Sequence, residues 1–132
     1  MKKELIDKKE QCPFCKEFSD DRVVYEDSTW IAIKDAYPVS NGHTLLIPKR
    51  HCETYWDLNH SELSTLGSVL RIIKDKIDSE LHPNGYNIGA NCGVCSGQTV
   101  LHCHIHIIPR YNGDMENPRG GVRGVIPSQQ KY

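Results

Sequence analysis

The sequence predicts an α+β fold of a single domain, an antiparallel sheet of about five strands with one main helix packed on it. Three observations predict it. Residues 98–109 alternate polar and apolar side chains with period two, the signature of a strand with one face in a core. Residues 59–81 carry apolar residues at helical spacing along one stripe. Residues 22–26, 30–34, 43–48 and 86–90 are short β-rich runs bounded by turn or loop residues. A chain of 132 residues supports one domain and is long enough to bury a core.

The chain opens with Lys2, Lys3, Lys8 and Lys9, a basic fringe interrupted by Glu4, Asp7 and Glu10 and read as solvated surface. Cys12-Pro13-Phe14-Cys15 follows, a tight turn with two thiols at metal-ligand spacing. A redox pair is the competing reading of such a turn, but it would want a strand before it, and residues 8–11 offer none. Residues 22–26 and 30–34 form a hairpin about Glu26-Asp27-Ser28, and Asp35 closes its second strand. Residues 38–42 make a loop, residues 43–48 the next strand, and Lys49-Arg50-His51 continues at the sheet's edge. His43 and His51 read equally well as surface histidines or as ligands.

Asn59 can cap the helix, with Glu62 completing a capping box. Leu63, Leu66, Val69, Leu70, Ile73, Ile77 and Leu81 make its buried stripe, and Pro83 and Gly85 end it. Residues 91–97 form a glycine-containing loop whose backbone N–H groups can face a phosphate. That loop carries a second Cys-x-x-Cys, Cys92 and Cys95. In the strand after it, Leu101, Cys103, Ile105 and Ile107 would share the core side. His102, His104 and His106 would share the other, about 6.6 Å apart at the usual strand rise. Three imidazoles on one face make poor filler, because neutral rings want partners and charged ones repel; the pattern points to a chemical site. Residues 110–132, rich in Gly, Pro and Arg, read as an ordered tail or an interface segment.

His102-Cys103-His104-Ile105-His106-Ile107-Ile108 resembles the signature of the histidine triad (HIT) family of nucleotide hydrolases and transferases, and Gly97-Gln98-Thr99-Val100 before it fits as well. The likeness extends to residues 30–35, 42–51 and 91–109 and to the Cys12–Cys15 turn. It implies a homodimer of single HIT-like domains. It also implies cleavage at the α-phosphate of a nucleotide conjugate, a dinucleoside polyphosphate or a nucleoside phosphoramidate. His104 would be the nucleophile of a nucleotidyl-histidine intermediate, with His106 and His43 donating hydrogen bonds to phosphate oxygens. Asn91, Gln98 and Thr99 would surround the phosphates of a purine nucleotide, and Asp35 would hold the ribose hydroxyls. In the zinc-containing branch the first histidine of the motif binds metal, so Cys12, Cys15, His51 and His102 would hold one structural zinc. No organic cofactor is implied. The N-terminal zinc-binding segment would span about 1–20 and the tail about 110–132. The ending is more similar to the bacterial dinucleoside-polyphosphate hydrolases than to the phosphoramidase branch, which carries a Trp-Pro-Pro-Gly ending. Cys103 and the Cys92/Cys95 pair depart from the family pattern.

Composition narrows the partners. A net charge of −1 without a clustered basic patch argues against nucleic acid. There is no apolar leader and no run near the roughly 20 residues of a membrane span, so a cytoplasmic protein with six reduced or metal-bound cysteines is expected. Two other functions fit the same residues: a metal-dependent hydrolase with His102, His104 and His106 as ligands, and a non-enzymatic nucleotide-binding regulatory module. The first lacks an obvious carboxylate base near the triad.

Overall fold

The computed structural model describes residues 11–132, so the basic fringe and the start of the expected metal-binding segment lie outside the described residues. Five strands form one antiparallel sheet in the order β1-β2-β3-β5-β4: β1 (Val23–Glu26), β2 (Trp30–Lys34), β3 (Thr44–Pro48), β4 (Gly85–Gly89) and β5 (Ile105–Arg110). One long helix, α1 (His60–Leu81), covers one face.

The two faces are read off β2 by alternation. Trp30 and Ala32 turn toward α1, joined by Leu46, Cys103, Ile105 and Ile107 from the neighbouring segments and by Leu66, Val69, Ile73 and Ile77 from the helix. Ile31 and Ile33 turn the other way, with Leu45 and Ile47, under Phe14, Phe18 and Val23. Both faces of β2 and β3 are therefore covered, which is why their sequences are near-continuous apolar runs. The buried indole of Trp30 donates Nε1–H to Thr65 Oγ1 at 3.0 Å, so its one polar atom is satisfied and fixes the helix against the sheet.

The helix starts as expected. Asn59 Oδ1 accepts from the Glu62 N–H and Glu62 Oε1 accepts from the Asn59 N–H, both at 2.8 Å. Glu62 is buried yet charged, because Arg50 donates to both of its oxygens at 2.9 and 3.0 Å and holds its carboxyl below the usual range. One expectation about the helix is corrected: Leu63 lies outside the buried stripe, 44% exposed. The helix ends at Leu81, as expected, with His82 as a left-handed C-cap immediately before Pro83.

The strand expected over residues 98–109 is half as long as its pattern suggests. Only Ile105–Arg110 pairs in the sheet. Leu101 is 40% exposed, not on the core side. Upstream of Ile105 the backbone is drawn out of the ladder: Cys103 donates its N–H to the Cys52 carbonyl at 2.7 Å, and His102 turns its ring toward the N-terminal cysteines. His51 likewise follows the central strand β3 and not a sheet edge.

Candidate active site and metal centre

Cys12 and Cys15 stand on one tight turn, closed by the Cys15 N–H on the Cys12 carbonyl at 3.2 Å. His51 arrives three residues after β3 and His102 three residues before β5. Their donor atoms meet. His102 Nδ1 lies 3.3 Å from Cys12 Sγ, 3.4 Å from Cys15 Sγ and 3.1 Å from His51 Nδ1, and Cys15 Sγ lies 3.0 Å from His51 Nδ1. Tetrahedral coordination at the usual metal–sulfur and metal–nitrogen lengths puts donors about 3.3–3.8 Å apart, within about half an ångström of these four separations. The tautomer agrees. His102 Nε2 sits 2.8 Å from the Pro48 carbonyl, which can only accept, so Nε2 carries the proton and Nδ1 offers its lone pair to the thiols. Burial holds the ring neutral by lowering its pKa. The arrangement suits a metal that takes two thiolates and two imidazoles.

His104 is governed by the same residue. Its Nδ1 lies 2.8 Å from the His102 carbonyl, so Nδ1 is the protonated nitrogen and Nε2 keeps a lone pair. The ring is 8% exposed and lies between two others, Phe14 at 5.1 Å and His106 at 5.3 Å between centroids.

A second group of donors joins Asp35, His43 and His106. Its tautomers run the other way. The Val39 N–H donates to His43 Nδ1 at 3.1 Å, so the proton of His43 is on Nε2. That N–H faces His106 Nδ1 at 2.9 Å and Asp35 Oδ2 at 3.3 Å. His106 Nδ1 is thus an acceptor, and Nε2 presents a proton outward. A cation at this place would have to displace the His43 proton and cost the bond from Val39, so the group is a hydrogen-bond relay and not a metal site. Burial lowers the pKa of both rings, with Asp35 opposing, so both imidazoles are neutral.

His43 and His106 line a cavity of about 460 Å³ with Val39, Asn87, Ala90 and Asn91. Its far wall is the tail: Gly121, Val122, Gly124 and Val125, in a 3-10 turn over Gly121–Val125. Gly120 leads into that turn with φ +84°, and a Cβ there would run into the Gln130 carbonyl, so this bend requires glycine. The tail thus closes one side of this cavity.

Other expected site residues stand as follows. Asp35 Oδ1 accepts from the Tyr37 N–H at 2.8 Å, so its carboxylate anchors the next loop as well as touching His43. Asn91 is on the cavity wall and Thr99 is exposed. Gln98 is buried and spent on the backbone: Oε1 accepts from Gly93, and Nε2 donates to the Glu53 and Val100 carbonyls. The 91–97 loop uses the N–H groups of Gly93, Ser96 and Gly97 internally, and the Gln98 N–H after it also bonds back to Gly93, so the expectation that these face a phosphate is corrected. Nor do His102, His104 and His106 converge on one point; among the described residues the metal-capable groups are the two above, and neither contains His104, Cys92 or Cys95. Cys103, pushed up to about 12 by burial, and Cys52, raised for the same reason, are unreactive core thiols. Sequence reasoning missed Phe14, Val39 and the tail residues. Phe14 stood between two singled-out cysteines; the tail has no periodic pattern to find.

Comparison with known proteins identifies the family and supports the fold. The HIT domain family matches residues 16–113. An uncharacterized HIT-like protein of Methanocaldococcus jannaschii is 40% identical over 110 residues, 80% of this chain and 83% of its own length. Adenylylsulfatase HINT3 of Arabidopsis thaliana is 35% identical over 106 residues, 78% of this chain but 54% of that protein. A Zn-bound histidine triad family protein from Mycobacterium smegmatis superposes with a TM-score of 0.72 at 33% identity, covering 83% of this chain and 81% of its own.

Proposed function

The chain belongs to the HIT domain family, and from that premise we propose that it cleaves or transfers at the α-phosphate of a nucleotide conjugate through His104. The observation that carries the reading is the tautomer of His104: a buried imidazole whose Nδ1–H is held by the His102 carbonyl keeps a nucleophilic lone pair on Nε2. That lone pair attacks phosphorus, a P–N bond forms, and the bond to the leaving group breaks with its electron pair going to the leaving atom. His106, its Nδ1 accepting from the His43 N–H, donates a hydrogen bond from Nε2–H to that atom, which departs as a phosphate anion or, for an amine, takes its proton from solvent. Water then attacks phosphorus and loses a proton to solvent as the P–N bond collapses onto His104 Nε2. Asp35 accepts from the ribose hydroxyls with the oxygen lone pairs that the Tyr37 N–H and His43 leave over. Asn91 and Thr99 contact the phosphates; Gln98 acts by holding their loop in place.

The metal reading follows the same way. Cys12, Cys15, His51 and His102 would hold one zinc ion, a closed four-ligand site that joins the N-terminal turn to the ends of β3 and β5; the zinc-bound relative supports that metal. Its chemistry is structural, with no open position for substrate. A homodimer would form across β4, whose outer edge is unpaired in the sheet and carries the half-exposed Ile88.

His104→Ala should abolish turnover of both adenosine phosphoramidate and diadenosine polyphosphates while AMP binding survives. The wild-type protein should yield a nucleotidyl adduct located on His104 by mass spectrometry. Comparable turnover in the variant would end the proposal and favour the binding-module reading or another nucleophile.

A further inference from the structure

We propose that Phe14 is a positioning residue for His104, one that hands the order of the cysteine turn on to the reacting imidazole. The inference rests on the reading of His104 as nucleophile. It adds a residue that is neither a metal ligand nor part of the relay.

Among the described residues His104 has a single polar tether. Its Nδ1–H bond to the His102 carbonyl fixes the tautomer and one direction in the ring plane, but one bond leaves a pivot. What stops the ring from swinging is the pair of rings on either side. His106 stands at 5.3 Å with an interplanar angle of 62°, and Phe14 at 5.1 Å with 80°. The same phenyl ring also meets His102 edge-on, at 6.2 Å and 75°. Edge-to-face pairs at these separations are attractive as well as space-filling.

Phe14 is itself unusually well held. It occupies the turn between Cys12 and Cys15, and its N–H donates to Cys12 Sγ at 3.4 Å. The turn is closed by Cys15 on Cys12, and both thiols reach His102. Phe18 backs the ring from behind at 6.3 Å. The four donors, the phenyl ring and the His104 imidazole are therefore one packed unit. Losing the phenyl ring would leave every ligand in place and take one wall from the nucleophile.

A second use of Phe14 is stacking against a nucleoside, since it also borders a hollow with Phe18, Val23 and Ile31. The two uses separate in kinetics. A stacking residue changes nucleotide affinity; a positioning residue changes the rate at which bound nucleotide is attacked.

The test uses the full-length, metal-loaded protein carrying Phe14→Ala, Phe14→Leu or Phe14→Tyr. Metal content is measured first, and one ion per chain is expected in all three. Single-turnover formation of the nucleotidyl adduct from adenosine phosphoramidate should fall roughly ten- to a hundredfold in Phe14→Ala, as a misaligned nucleophile predicts. Phe14→Leu, which keeps bulk without an aromatic edge, should fall less, and Phe14→Tyr should restore most of the rate. The AMP dissociation constant should stay within about threefold, less than the cost of a lost base stack. The ring-nitrogen spectrum of His104 at one pH should change from a pure Nδ1–H tautomer to an averaged one in Phe14→Ala. An unchanged adduct rate and unchanged spectrum would overturn the proposal, as would a loss confined to AMP affinity. If Phe14→Ala does not fold, the same readouts on Phe14→Leu against Phe14→Tyr decide. Turnover in His104→Ala would sink the nucleophile itself, a separate result.

Discussion

Two clusters of this molecule are each built on a pair of histidines, and their protons point opposite ways. One joins Cys12, Cys15, His51 and His102; the other joins Asp35, His43 and His106; each brings its donor atoms within 4.8 Å of one another. The difference lies in what the backbone gives the far nitrogen of one histidine. At His102 that neighbour is the Pro48 carbonyl, an acceptor, so the proton is drawn away from the cluster and the inner lone pair is available to a cation. At His43 it is the Val39 N–H, a donor, so the proton is pushed into the cluster and passed toward His106 and Asp35. Donor count and spacing do not separate a metal site from a proton relay. The main-chain partner one ring away does.

The largest effect expected from breaking this contrast is at the first cluster. Cys12→Ser removes one thiolate and should eliminate the bound metal, read as loss of one zinc per chain by elemental analysis. The melting temperature should fall by at least about 10 °C, because the ion joins three distant parts of the chain and its binding is linked to folding. Wild-type protein binding two ions, with one surviving in Cys12→Ser, would place a metal at the second cluster and erase the distinction.

How much of this was legible beforehand follows the same line. The Cys12–Cys15 turn and the three alternating histidines were marked by residue type and spacing, His43 and His51 only by the family resemblance, and the helix cap at Asn59 and Glu62 by a local rule. What spacing could not show was where backbone groups go. Alternation over residues 98–109 looks like one strand, yet the ladder begins at Ile105 because the Cys103 N–H is taken by Cys52. Gln98 looks like a phosphate contact until its amide is found latching three backbone groups. The tail carries no pattern at all, since a 3-10 turn built on Gly120 obeys neither period. Each of these depends on long-range hydrogen bonds that no window of sequence contains.

A smaller effect sharpens the second cluster. His43→Phe keeps the ring volume and removes the proton offered to His106 Nδ1. His106 is then free to adopt either tautomer, so its outward proton is no longer guaranteed. Turnover of adenosine phosphoramidate should drop about ten- to a hundredfold, less than the roughly 10²–10³ of a placed hydrogen-bond donor lost outright, because His106 still holds the right tautomer part of the time. Metal content should be untouched. Loss of zinc together with activity would mean that the two clusters are one.

The smallest effect is in the pH dependence of stability, and it tests whether the two relay imidazoles are neutral. Burial lowers the pKa of His43 and His106 in the folded protein, while in the unfolded chain they titrate near the ordinary 6.5. Above that value both states hold these rings neutral, and they add nothing to the slope. As pH falls through 6.5 the unfolded chain takes up protons first and the folded protein binds fewer, so stability must fall with pH until the depressed folded values are reached. Each ring contributes at most about 1.4 kcal/mol per pH unit in that window, and Asp35 trims the share of His43. Acid also loosens thiolate ligands, so the informative quantity is a difference between two metal-loaded proteins. Denaturant unfolding of wild type and His43→Phe from pH 7.5 down to about pH 5.5 should give a shallower acid slope in the variant, by no more than one proton's worth. Equal slopes would mean that His43 is protonated in the folded state, its Nδ1 could not then accept from Val39, and the contrast between the two clusters would lose its cause.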